Sequence, residues 1–176
     1  MEKRFDKNCK RIVVTGPECT GKSWLSYQLA RETSGLWLPE YARYYIQSLN
    51  RNYTKEDVLH IARMQFELEN GMVATNPEYL FLDTDMIITK VWLEHVYGSS
   101  PVWLDDAIKE MPRHMHLLCY PDLTWSSDPL RENKELRLYF FQWYEKEITS
   151  YGFPYAIIKG KGKARLKSAL DVVHAI

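Results

Sequence analysis

Residues 16–23 read GPECTGKS: two glycines with four residues between them, then lysine and a hydroxyl residue. Each type has a chemical use at that spacing. Gly16 and Gly21 let the backbone turn tightly and approach an anion with no Cβ in the way. Beyond Pro17, which has no N–H to offer, the successive backbone N–H groups of Glu18, Cys19 and Thr20 point inward, and the following helix presents its positive end. Lys22 reaches the β- and γ-phosphates of a nucleotide, and the Ser23 hydroxyl suits Mg²⁺. The loop, residues 16–23, is therefore expected to bind ATP with Mg²⁺. Cys19 is read as a small side chain that the loop tolerates, with redox chemistry as the alternative.

A second set of groups is acidic. The apolar run YLFL ends in Asp83, a carboxylate fixed by a strand end, as a Mg²⁺-organising acid requires. Ser23 and Asp83 are thus the expected metal residues. Asp85 opens the next helix, where capping its N-terminus and facing a substrate are compatible roles. Glu40 closes another strand and is the favoured base for an acceptor hydroxyl, with Asp83 and Asp85 left as alternatives.

Asp85, Thr89 and Trp92 follow at steps of four and three, so they share one helix face. A carboxylate, a hydroxyl and an indole in line suit a hydroxylated, ring-bearing acceptor. Core packing is the competing reading of Trp92. Arg43 neutralises Glu40 or touches a phosphate, and YARYY, from Tyr41, adds aromatic surface beside it. The polar segment 121–133 carries Trp125, Asp128 and Arg131 and reads as a mobile lid. A lid with arginines supplies charge to a moving phosphoryl group and keeps water away. Arg131 is preferred to Arg137, which is read as facing solvent. The basic turn KGKGK after the last strand either lies against the nucleotide or is a soluble turn.

These groups need a scaffold. Apolar runs RIVVT (11–15), LWLPE (36–40), YLFLD (79–83), MHLLCY (115–120) and YAIIKG (155–160) read as five strands. Between them lie helical patterns at 21–34, 41–50, 54–72, 85–98, 102–111 and 134–152, with ARLKSALDVVHAI closing the chain. Thr54 and Asp57 are the expected capping pair for the third helix, with Val58, Ile61, Ala62 and Leu68 largely on one face. Apolar strands alternating with helices predict an α/β fold: a parallel sheet covered on both faces, with ligands beyond the carboxyl ends of the strands.

The chain has 176 residues, 45 % of them hydrophobic, and a formal net charge of zero. It suits one domain spanning 1–176, with no broad nucleic-acid or membrane footprint. No apolar run reaches a membrane span, and the N-terminus lacks the apolar stretch of a signal peptide. Three cysteines without Cys-x-x-Cys spacing fit reduced thiols in the cytoplasm. HMH at 114–116 has no evident third ligand and is read as structural. Homo-oligomerisation is left open.

GPECTGKS, PEYAR, FLDTDMIITKVW, DLTWSSDPLR and YAIIKGKGKARL occur in an order that resembles the ribosylnicotinamide kinase domain of the bacterial NadR proteins. The resemblance runs from Arg11 over nearly the whole chain. It implies a P-loop NTPase fold, a three-layer α/β/α sandwich on a five-stranded parallel sheet, built like nucleoside and nucleotide kinases and bearing a lid. It also implies ATP-dependent phosphorylation of nicotinamide riboside to nicotinamide mononucleotide, in NAD salvage. By this resemblance residues 16–23 hold ATP and Asp83 organises the metal. Trp92 stacks on the acceptor and Arg131 is the lid arginine. Glu40, Tyr41, Arg43, Asp85 and Trp125 complete the acceptor side. NadR-type proteins carry a preceding nucleotidyltransferase domain, and adenylylation of the mononucleotide is not expected of this sequence. Ile88 stands where family members often have a hydroxyl residue. The alternatives are a kinase for another nucleoside and, in a different class, a P-loop ATPase that switches on binding protein or nucleic acid. A nucleoside monophosphate is a poorer acceptor beside Glu40, Asp83 and Asp85. No Asn-Lys-x-Asp stretch for guanine is present.

Overall fold

The structure is a computed structural model describing residues 9–112, 114–129 and 131–176. The expectation about the extreme N-terminus falls mainly on residues 1–8, outside the described residues, as does position 130 of the lid. The elements are β1 (Lys10–Thr15), α1 (Lys22–Thr33), β2 (Leu36–Leu38), α2 (Tyr41–Ser48) and α3 (Lys55–Val73). β3 (Tyr79–Asp83), α4 (Met86–Tyr97), α5 (Val102–Glu110) and β4 (Met115–Cys119) follow. A short 3₁₀ turn (Lys134–Leu136), α6 (Arg137–Ser150), β5 (Tyr155–Ile158) and α7 (Gly162–Val173) complete the order.

All five strands are parallel, in the order β2-β3-β1-β4-β5. β1 takes the centre because Ile12, Val13 and Val14 are apolar on both faces and fully buried. Ile12 and Val14 pack with Phe81 and Leu117 against Leu25 and Leu29 of α1 and Ala169 and Val173 of α7. On the other face Val13, Leu80 and Leu82 meet Val73 of α3. Leu118 joins a larger cluster with Val58, Ile87, Leu104, Phe141 and Ile148, from α3, α4, α5 and α6. The expected three layers follow.

Local signals read well. Thr54 and Asp57 form a reciprocal capping box at the start of α3. Asp85 caps α4, which ends at Gly98. Full burial of every strand does not hold: at the sheet edge Tyr155 and Ile157 of β5 stay exposed. Leu68 is 39 % exposed. The buried stripe of α3 instead continues through Gln65 and Glu69, which have polar partners. Gln65 Oε1 accepts from the Tyr41 N–H at 3.0 Å, and Glu69 meets Arg11 and His114.

Candidate active site

The phosphate loop has the conformation its glycines were expected to serve. At Gly16 φ is +137°, and a Cβ there would come within 2.7 Å of the Cys119 carbonyl oxygen. Gly21 has φ +77° and lies under Leu123 of the lid. Pro17 O accepts from Thr20 Oγ1 at 2.8 Å and from Lys22 Nζ at 2.9 Å. Arg165 of α7, 1 % exposed, braces the loop from below. It donates to the carbonyls of Thr20, Tyr120 and Gly160 and pairs with Asp122, which accepts from the Gly160 N–H at 2.7 Å. Its sequence context, a basic turn, pointed to solvent or nucleotide; the fold makes it a buried strut.

Strand register brings the acids to the loop. Val14 pairs with Asp83, and the Thr84 N–H reaches Val14 O at 3.1 Å, so the ends of β1 and β3 stay level. Asp83 is 1 % exposed, and its Oδ1 has no hydrogen-bond partner among the described residues. Burial pushes its carboxyl above the usual range, while the Ser23 hydroxyl and then Lys22 pull it back. Glu40, at the end of the β2 segment, is also raised by burial; Lys22 opposes this and Asp83 reinforces it. Lys22, Ser23, Glu40, Arg43 and Asp83 therefore share one cleft. A buried carboxyl that takes the Ser23 hydroxyl and keeps Oδ1 without a hydrogen-bond partner among the described residues fits a hard cation that prefers oxygen ligands.

Thr84, between the two aspartates, has φ +75°, strained for a β-branched residue. The turn sends Asp83 and Asp85 different ways. Asp85 Oδ1 accepts from the Ile87 N–H at 3.0 Å, and Oδ2 lies 2.9 Å from His116 Nε2. Both oxygens thus have structural partners. The HMH pair is buried and structural: His116 holds Asp85, and His114 Nε2 lies 3.2 Å from Glu69 Oε1. Among the described residues no group of three or more His, Cys, Asp or Glu is placed to hold a metal ion.

The segment expected to be a mobile lid is tied down at several points. The Ser126 N–H donates to Cys19 Sγ at 3.2 Å, and Cys19 Sγ donates to Thr124 O at 3.4 Å. Glu18 accepts from the N–H groups of Glu132 and Asn133. Arg43 pairs with Asp128 at 3.1 Å. Arg131 turns back to Ser126 O. Arg137 does not point to open solvent: it donates to Leu123 O at 2.9 Å and lies 5.8 Å from the Trp125 ring centroid.

Trp92 belongs to an aromatic group. It stands edge-on to Tyr53 at 5.0 Å, donating to its hydroxyl at 3.3 Å, and packs partly buried against the larger core cluster. Tyr41 stacks on Tyr45 and bonds His60, while the Tyr45 hydroxyl donates to Asp57 at 2.9 Å. Thr89 is buried. Sequence reasoning missed Tyr144 of α6. Its phenol, packed in the larger core cluster beside Phe140, is pushed up first by burial and then by the carboxylates of Glu18, Glu40 and Asp85.

A parallel sheet in this order, with a glycine-lysine-serine loop after β1, an acid ending β3 and a lid between β4 and α6, defines a P-loop NTPase fold of the nucleoside-kinase type. A family model described as an AAA domain matches residues 11–165, and the chain belongs to that family. Among solved structures, the chain is similar to NadR protein in complex with NR. The TM-score is 0.81 and the identity 23 %, over 96 % of this chain and 49 % of that one. It is likewise similar to NadR in complex with NAD and AMP-PNP, at a TM-score of 0.77, 24 % identity and the same coverages. Thymidylate kinase from Ehrlichia chaffeensis matches at a TM-score of 0.66 and 12 % identity, over 96 % of this chain and 98 % of that one. The chain thus spans about half the length of the NadR chains it matches.

Proposed function

We propose that this domain transfers the γ-phosphoryl group of ATP to the ribose hydroxyl of nicotinamide riboside, giving nicotinamide mononucleotide for NAD salvage in the cytoplasm. The observation that carries the reading is the grouping of Lys22, Glu40 and Asp83 around the phosphate loop, with both carboxyls raised by burial. A raised carboxyl is a stronger base.

In this reading the backbone N–H groups of the loop from Glu18 to Ser23 grip the phosphates, and Lys22 leaves Pro17 O for their oxygens. Ser23 and Asp83 would hold Mg²⁺, which would supply charge neutralisation on the phosphates. The acceptor oxygen forms a bond to the γ-phosphorus as the bond from that phosphorus to the bridging oxygen breaks, and ADP leaves. The hydroxyl proton passes to Glu40. Asp85, already bonded to Ile87 and His116, positions the start of α4 beside the acceptor. Trp92 and Tyr41 offer aromatic faces to the cationic pyridinium, and Arg131 and Trp125 close the lid.

Another nucleoside is the second reading, favoured by the likeness in fold to deoxyadenosine kinase from M. mycoides, at a TM-score of 0.63. The test is a nucleoside panel, led by nicotinamide riboside, assayed for ATP-dependent monophosphate. Product from nicotinamide riboside supports the proposal, and product from another nucleoside alone replaces it.

A further inference from the structure

Two arginines from separate elements converge on a single oxygen of the lid. Arg43 Nη1 of α2 lies 3.1 Å from Asp128 Oδ2, and Arg131 Nη2 lies 4.0 Å from the same atom. Guanidinium groups grip carboxylate and phosphate oxygens by the same geometry. Arg43 also acts on Glu40 and Asp83, so this point borders the phosphate loop. The lid on either side of Asp128 is tied to that loop, through Ser126 to Cys19 and through Glu132 and Asn133 to Glu18.

We propose that Asp128 is a positioning residue whose carboxylate stands in for an oxygen of the nucleotide's terminal phosphate. It holds Arg43 and, more loosely, Arg131 at the place where that phosphate arrives, and yields them when it does. The proposal rests on the phosphotransfer reading of the site.

The consequence is competition. An incoming phosphate displaces an ion pair that is partly exposed on both sides, with side-chain exposures of 36 % and 20 %. Pairs of that kind change an equilibrium by about two- to fivefold. Removing the charge while keeping the shape, in Asp128→Asn, is expected to tighten binding of magnesium AMP-PNP by that factor in calorimetry. The gain disappears in an Arg43→Gln background, because the arginine that the carboxylate restrains is gone. Asp128→Glu, which keeps the charge, stays within twofold of the unsubstituted chain. Asp128→Ser serves as a second neutral variant should the asparagine form fold poorly.

Unchanged or weaker nucleotide binding in both neutral variants overturns the proposal. So does an equal gain with and without Arg43, which would mean a general charge effect. Nucleotide binding needs no acceptor, so these outcomes are separate from failure of the phosphotransfer reading. That failure shows instead as absence of monophosphate with the unsubstituted chain.

Discussion

The Lys22 ammonium donates to Pro17 O at 2.9 Å, bending back across the mouth of its own loop. The same carbonyl takes the Thr20 hydroxyl, so the lysine is held close to the place where phosphate oxygens would compete for it. Lys22→Ala should lower kcat by about a hundredfold or more, the scale of losing one preorganised charge-stabilising group. Steady-state kinetics at saturating ATP read this directly, and near-normal turnover contradicts the assignment.

With Glu40 as the proposed base, its carboxyl should set the acid side of the pH profile. Its carboxyl is raised above its ordinary value of 4.5 by burial. As base it must be ionised, so activity falls as pH drops through the raised value. The acid limb of kcat/KM should therefore lie above 4.5. Glu40→Gln should remove that limb and lower kcat by about 10²–10⁴-fold. If Glu40→Gln is benign and Asp85→Asn is not, the base is Asp85.

Asp83 should lower stability at neutral pH. Its folded-state carboxyl is raised above 3.8, so the folded chain binds this proton more readily than the unfolded chain. Stability therefore falls as pH rises through the window above 3.8. Asp83→Asn should raise Tm at pH 7 by about 2 °C or more, the scale of ~1 kcal/mol in a chain of this size, while impairing catalysis. The gain should shrink as pH is lowered. Thermal scans at several pH values check both signs.

Arg165 is a structural strut with a functional reach. Arg165→Met would leave the carbonyls of Thr20, Tyr120 and Gly160 and the Asp122 carboxylate without this partner. Breaking such a buried ionic network costs about 3–5 kcal/mol. Urea unfolding should show that loss. Because Thr20 is in the phosphate loop, KM for ATP should rise as well. A stable variant with unchanged KM would contradict the role.

What the sequence showed, and what it hid, divides by distance along the chain. GPECTGKS, the acid ending β3 and the Thr54–Asp57 box were legible because each acts within a few residues of itself. The central strands were legible from their unbroken apolar runs. The partners of Asp85 and Glu18 were not: His116 and the backbone of Asn133 lie 31 and 115 residues away. Arg165 looked like part of a soluble basic turn because its acceptors are carbonyls, which leave no trace in side-chain spacing. Apolar periodicity groups Leu68 with Val58, Ile61 and Ala62, but it cannot show that Gln65 and Glu69 take the buried positions, with polar partners. Tyr144 feels the acids of the site from α6, an element with no motif of its own.

The most direct measurement follows nicotinamide riboside and magnesium ATP by phosphorus NMR with the unsubstituted chain. The account predicts a new monophosphate ester resonance growing in step with ADP and dependent on the added nucleoside. ADP and inorganic phosphate appearing at the same rate without any nucleoside, and rising with nucleic acid or protein, would contradict it.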